Sequence, residues 1–401
     1  MKQNNASFEK ALEDFLKNRK SLILQELLSW LFGHLGKAER SIYLVHHPED
    51  KANGFYERTL QIGSLPFPVE IPRTRYTGFR PSFLPQRRTR YLPEDYLALA
   101  SSLLLGSRSI QSATRALKNL NLPINQECLQ EVIEQFVTYL ETLNYSPLPS
   151  DLAALVIDAK YIHQKIPERN EVQEYTTYVA LGLTLEGQKR ILGLYTFEGQ
   201  ESLEGWKKTL EKLLQRGLRR VLIVVHDDFS GLLSLTSTLF PKADVQLCTV
   251  HLCRNARKYL SQENYNLFMK YFRSIKTCLT YQQGSGLFDS LLEKLSQSNR
   301  FVEQLAKKKE HYLAFLKYPE ELRTLFCSTN LAEGINRKIE EAQRACGGYF
   351  HSERDRDFRY GVIAKELLEG KWRRPNWKYQ RVTHILRYLF AERFENDNLP
   401  N

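Results

Sequence analysis

The scarcities in this chain narrow the reading first. Among 401 residues there are six cysteines, at 128, 248, 253, 278, 327 and 346. So thin a scatter excludes a disulfide framework and fits a reduced, cytoplasmic compartment. No run of eighteen apolar residues occurs, so no membrane span and no membrane partner are expected. The opening MKQNNASFEKALEDFL lacks an apolar signal-peptide centre and reads as a charged amphipathic helix. Phosphate loops, dinucleotide fingerprints and Ser-His-Asp signatures are missing, so no small-molecule cofactor is expected. Internal repeats and low-complexity segments are missing as well. Acid is locally absent: Ile71 to Pro93 contains neither Asp nor Glu.

Positive charge is what stands in its place. The formal net charge is +11, which suits a polyanionic partner, nucleic acid before membrane. The acid-free stretch holds Arg73, Arg75, Arg80, Arg87, Arg88 and Arg90, interleaved with Tyr76, Phe79, Phe83 and Tyr91. Arginine neutralises phosphate and rings stack or wedge, so a Pro- and Gly-rich arm over 53–93 is expected to lie along DNA. Before it, 1–52 reads as a helical segment. After it, 94–148 reads as three helices with a helix-turn-helix character, kept basic by Arg108, Arg115 and Lys118.

From residue 149 the pattern changes. LAALVIDAKYI, TTYVALGLTL and KRILGLYTF are strand-like runs with short connections, which favours antiparallel neighbours. The amphipathic LEGWKKTLEKLLQRG follows, with Gly217 past its end. VLIVVHDD reads as a strand buried on both faces, GLLSLTSTLF as a helix and DVQLCTVH as a fifth strand. The order β-β-β-α-β-α-β predicts an α/β, RNase H-like sheet. Its first part spans 149–254, an all-helical insertion 255–326, its second part 327–365, and a helical tail 366–401.

Three acids stand out on that scheme. Asp158 interrupts an apolar strand, where a lone carboxylate is costly unless paired or metal-bound. Asp227 ends VLIVVHDD, at the kind of strand end where ligands gather. The first and fourth strands are expected side by side, which brings the two together, and a divalent cation would relieve their repulsion. Glu333 lies on a predicted helix, STNLAEGINRKIEEAQRA, whose apolar stripe is Leu331, Ile335, Ile339 and Ala342. Its polar face carries Glu333, Asn336, Arg337, Glu340 and Arg344, and Gly334 leaves room for another backbone. The spacing of Asn330 and Glu333 also fits a capping box, an explanation without chemistry. Two Mg²⁺ or Mn²⁺ ions on three carboxylates suit phosphodiester cleavage. Cys248, His251 and Cys253 lack the paired spacing of a zinc site, and Trp372 and Trp377 are expected in the core.

These residues resemble a known family, the Mutator-type transposases of bacterial insertion sequences, which carry a DDE triad. NGFYERTL and IPRTRYTGFRPSFLP are similar to its N-terminal half. VIDAKYI, ILGLYTFEGQESLEGWKKTLEKLLQRGL, HDDFSGL, FPKADVQLCTVHLCRNARKY, STNLAEGINRKI, GGYFHSERDRD and KWRRPNW follow in the family's order. The resemblance implies that Asp158, Asp227 and Glu333 form the metal-binding triad. It implies that Cys248 and His251 are a Cys-x-x-His signature, followed by the pair Arg254-Asn255, with Asn330 ahead of the Glu. It also implies recognition of terminal inverted repeats, strand cleavage and transfer to target DNA, in a bacterial, nucleoid-associated setting. A dimer or larger assembly on double-stranded DNA is expected, with Arg337 and Arg344 meeting the DNA. Asp228 stands where the family commonly has Gly, so Asp227 and Asp228 both remain open as second ligand, the distance to Gly231-Leu232 favouring Asp227. A nuclease without strand transfer and an inactive DNA-binding relative are the competing readings.

Overall fold

The computed structural model describes residues 24–62, 65–84, 104–107, 112–113, 115, 126–295, 300–375 and 377–394. They belong to two compact units, Met1–Leu104 with Ile110–Val132 and Leu105–Ser109 with Ile133–Asn401.

In the first unit, helix α1 (Leu24–His46) packs on an antiparallel hairpin of β1 (Ala52–Ile62) and β2 (Leu65–Thr74). Phe67, Val69 and Ile71 alternate inward from β2 and bury against Leu28, Phe32 and Phe83. The helix falls within the stretch 1–52 expected to be helical. Asp50 accepts backbone N–H groups from Lys51, Arg75, Tyr76 and Thr77, which shapes the turn carrying Arg75. Arg73, Arg75, Arg80 and Arg115 are exposed, and the Arg73 guanidinium lies 5.4 Å from the centre of the Tyr56 ring. Arg87, Arg88, Arg90, Arg108 and Lys118, with most of the expected helix-turn-helix, lie outside the described residues. Helix α2 (Gln126–Tyr145) falls where the third helix of that region was expected.

The second unit holds a five-stranded mixed sheet in the order β5-β4-β3-β6-β7. Strands β3 (Asp151–Ile166), β4 (Glu171–Leu183) and β5 (Lys189–Glu198) are antiparallel, as their short connections require. Helix α3 (Leu203–Gln215) leads to β6 (Arg220–His226), and α4 (Leu232–Leu239) to β7 (Asp244–Leu247); both strands run parallel to β3. Helical crossovers are what parallel neighbours need. Ser202 caps α3 by accepting the Gly205 N–H at 3.1 Å, and Gly217, at φ +110°, follows its end. One face of the sheet packs Leu155, Ile157 and Val224 on Trp206, Leu210 and Leu213. The other buries Val156, Ile223 and Val225 in the larger core.

The fifth strand is shorter than DVQLCTVH suggests. It stops at Leu247, and α5 (Thr249–Tyr259) begins two residues on. Thr249, Leu252 and Ala256 are buried at helical spacing, and the Cys248 N–H turns inward to the His226 carbonyl at 2.8 Å. Helices α6 (Gln262–Lys276), α7 (Tyr281–Lys294), α8 (Arg300–Lys307), α9 (Lys309–Leu313) and α10 (Glu320–Phe326) follow. Phe268, Phe272, Phe288 and Phe315 fill their shared interior. Helices α11 (Asn330–Ala345), α12 (Glu353–Lys365), α13 (Trp377–Gln380) and α14 (Thr383–Phe394) close the chain. Trp372 is buried, as core packing requires. Among the described residues no helix is long and apolar enough to cross a membrane.

Candidate active site

Strand β3 outruns its parallel neighbour, and the candidate site begins where that neighbour stops. Val156 pairs with Val225 at the end of the β3–β6 ladder. Two residues further along each chain stand Asp158 and Asp227, so continuing the register sets them across from one another. Asp158 is only 8% exposed. Burial pushes its carboxyl up to about 7, with Asp227 and Glu201 adding to the rise and His251 and the Ala159 N–H opposing it.

Helix α11 brings the third acid. It packs on β3 and β4, burying Ala332, Ile335, Ile339 and Ala342. Its polar edge is tied along β3 by three hydrogen bonds. Asn336 Nδ2 donates to Asp158 Oδ2 at 2.9 Å, Lys160 Nζ to Glu340 Oε2 at 3.0 Å, and the His163 N–H to Gln343 Oε1 at 3.1 Å. Four helical residues rise about 6 Å and two strand residues about 6.6 Å, so the first two ties stay in step. Glu333 sits a turn before Asn336 on the same helix. It lines an open cleft of about 770 Å³ with Asp158, Lys160, Tyr161, His251, Arg254, Asn330, Asn336, Arg337 and Glu340.

The capping-box explanation of Glu333 does not hold. Thr329 is the N-cap, without a side-chain cap bond, and Asn330 is already inside the helix and exposed. The Glu333 carboxylate instead accepts from Arg254 Nη2 at 2.6 Å. Gly334 is open: nothing lies within 4 Å of the position its Cβ would take.

Cys248 and Thr249 fasten the junction of β6, α5 and the start of α11. Cys248 Sγ accepts the Thr329 N–H at 3.3 Å, and the Thr249 N–H donates to the Cys327 carbonyl at 2.9 Å. His251 Nδ1 stands 3.6 Å from Asp227 Oδ1. Burial works against a charged imidazole there, yet Cys248, Asp227 and Asp158 together push it up to about 9. Asn255 is half-buried on the same helix. His226 is fully buried, which drives it down to about 4, and its Nδ1 lies 2.6 Å from the Asp227 carbonyl.

The two neighbouring acids have different surroundings. Asp228 is engaged through both oxygens, by Lys308 Nζ at 2.5 Å and by the Tyr312 hydroxyl at 3.1 Å. The Asp227 side chain is 42% exposed, and its Oδ1 accepts the Asp228 N–H at 2.7 Å. Asp227 is therefore the more exposed of the two acids, and neither is among the residues that line the cleft.

The donor set is chemically suited to a hard divalent cation. It offers carboxylate oxygens, one of them on a buried group that a positive neighbour would relieve. Asn336 Oδ1 and His251 Nδ1 are also buried beside it without a hydrogen bond. Among the described residues, no three His, Cys, Asp or Glu side chains are gathered closely enough to hold a metal. Glu333 would have to exchange Arg254 for the ion.

Four contributors lacked a sequence signal of their own. Asn336 reads as one more polar residue on a helix face. Glu201 is half-buried just before α3 and is held by Trp206 Nε1 at 2.8 Å. Lys308 and Tyr312 arrive from the far end of the helical insertion.

A family model described as "Transposase, Mutator family" matches residues 1–356. This chain belongs to the Mutator family of transposases. Among relatives, this Mutator-family chain is 25% identical to the transposase for insertion sequence element IS905 of Lactococcus lactis, over 83% of this chain and 86% of that one. It is 24% identical to the transposase for ISRM3 of Rhizobium meliloti, over 87% and 86%. It is 23% identical to the transposase for IS256 in Tn4001 of Staphylococcus aureus, over 80% and 84%. The Drosophila P element transposase strand transfer complex matches at TM-score 0.27 and 13% identity, covering 76% of this chain and 87% of that chain, a likeness too slight to argue from.

Proposed function

We propose that this Mutator-family transposase cuts and joins DNA at one site on an RNase H-like core, with Asp158, Asp227 and Glu333 as its metal-binding triad. The observation that carries the reading is the shared cleft of Asp158 and Glu333, with Asp227 at the matching register position of the next strand. The three carboxylates would hold two Mg²⁺ or Mn²⁺ ions, which when bound activate the attacking oxygen and stabilise the leaving one. Asn336 fixes the orientation of the Asp158 carboxylate by donating to Oδ2. His251 places positive charge beside Asp227.

Around this centre the cleft carries bases as well as acids, two of them paired as Lys160 with Glu340 and Arg254 with Glu333. Lys160, Arg254 and Arg337 line it, and Arg344 lies further along α11, where they can neutralise strand phosphates. The basic arm, with exposed Arg73, Arg75 and Arg80, would bind the terminal inverted repeats. Joining two ends requires two of them at once, so a dimer or larger assembly on DNA belongs to the proposal. Gel filtration with end-containing DNA tests that part, and one chain per end would overturn it.

The direct test uses duplexes carrying the element's ends with Mg²⁺, comparing wild type with Glu333→Gln. Nicking, and joining of a pre-cut 3′-hydroxyl end, should occur only with wild type. Equal nicking by the variant would remove Glu333 from the site.

A further inference from the structure

We propose that Lys308 and Tyr312 of the helical insertion are positioning residues for the metal site, acting through Asp228 on the carboxylate of Asp227. The inference rests on the proposed triad and adds a second layer to it.

The Asp227-Asp228 pair sits just beyond β6, where no ladder hydrogen bond holds it. Its conformation is set by four hydrogen bonds. His226 Nδ1 meets the Asp227 carbonyl at 2.6 Å. The Asp228 N–H holds Asp227 Oδ1 at 2.7 Å. Lys308 and Tyr312 then take one oxygen each of Asp228, at 2.5 and 3.1 Å. The Asp228 side chain is 17% exposed and Tyr312 4%. An acid so enclosed needs both partners, and with both it has little freedom to turn. Fixing Asp228 fixes the peptide whose N–H orients Asp227.

The segment that supplies the two partners is itself bolted to the sheet. Gln246 of β7 is fully buried, and its Nε2 donates to the Tyr312 carbonyl at 3.1 Å. Its Oε1 accepts the Phe315 N–H at 2.7 Å. His311 Nδ1 lies 3.2 Å from the Val245 carbonyl. The insertion therefore delivers Lys308 and Tyr312 to Asp228 on a fixed platform. Where a Gly would leave the turn to hold itself, Asp228 gives the insertion a grip on it.

The test is titration of the metal-free, full-length chain with Mn²⁺, free ion being read by electron paramagnetic resonance. Tyr312→Phe and Lys308→Ala should each raise the half-saturating Mn²⁺ concentration about tenfold, the usual size for loss of a group that orients a ligand. Lys308→Arg should recover part of the loss, and melting temperature should stay unchanged in Tyr312→Phe. With Asp228→Gly in place, Tyr312→Phe should add nothing. Should Lys308→Ala melt early, Tyr312→Phe, which deletes one oxygen, decides. Unchanged Mn²⁺ binding in Tyr312→Phe and Asp228→Gly, with binding lost in Asp158→Ala, would overturn this proposal and leave the triad standing. Wild-type Mn²⁺ binding in Asp158→Ala would remove the triad reading, and this inference with it.

Discussion

Asn336 reaches across from its helix to Asp158, amide nitrogen to carboxylate oxygen at 2.9 Å, and is the only side chain among the described residues shown donating to that acid. The carboxylate is buried, so its direction depends on this one amide and on the Ala159 N–H. Asn336→Ala should lower strand cleavage by about 10–100-fold, as expected when a ligand loses the group that aims it. Binding to end-containing DNA should stay within twofold. Cleavage at the wild-type rate would show that Asp158 needs no such support.

Arg254 holds the Glu333 carboxylate at 2.6 Å and so competes with any cation for it. Their ion pair is open to solvent, the arginine side chain being 60% exposed, and such pairs contribute about 0–1 kcal/mol. Arg254→Ala should therefore melt close to wild type in scanning fluorimetry. It should bind Mn²⁺ at least as tightly as wild type, because Glu333 is released. Weaker Mn²⁺ binding would mean that Arg254 holds Glu333 in place for the ion.

Two glycines on neighbouring helices should respond in opposite ways. A Cβ on Gly361 would stand 2.1 Å from the Phe136 carbonyl oxygen, a backbone atom that cannot move aside alone. Gly361→Ala should cost about 1–3 kcal/mol by overpacking. Gly334 has open space around it, so Gly334→Ala should gain up to about 1 kcal/mol from helix propensity. Denaturant melts read both. A loss of cleavage in Gly334→Ala with that gain intact would show that the open side receives DNA.

Asp244 carries an acid-sensitive anchor. Burial alone would raise its carboxyl, but Lys317, Arg393 and the Tyr318 hydroxyl hold it below the usual range. Lys317 Nζ lies 2.9 Å away, Arg393 Nη2 2.9 Å and Tyr318 Oη 2.8 Å. A carboxyl depressed in the folded state stabilises above its unfolded value, near 4, and that stabilisation fades as pH falls through the folded value. Asp244→Asn should lower the melting temperature at pH 7 and narrow the gap to wild type as the solution is acidified below pH 4. A gap independent of pH would assign the loss to packing.

Much of this was legible in the sequence for a physical reason. The apolar runs around Val156 and Val224 are long enough to be strands and too apolar to be anything exposed. A single Asp inside the first of them therefore stood out. The end of β7 was not legible, because CTVH suits a strand until Leu252 and Ala256 are seen to be buried on a helix. Between Asp227 and Asp228 the sequence leaned to Asp227 only through its distance to Gly231-Leu232; the partners that enclose Asp228, Lys308 and Tyr312, fold back from far along the chain. Asn336 was seen only as part of a polar face, since nothing local tells an amide facing solvent from one facing a buried acid.

Cys248 and Thr329 touch, and between them the chain leaves the sheet and comes back. An excursion whose two feet stand side by side can grow or shrink at little entropic expense to what lies beneath. Natural variants of this protein should therefore differ most in length between those feet. The stretch from Lys308 to Tyr318 should resist such drift, because it grips β7 through Tyr312, Phe315, Lys317 and Tyr318 and holds Asp228 through Lys308 and Tyr312.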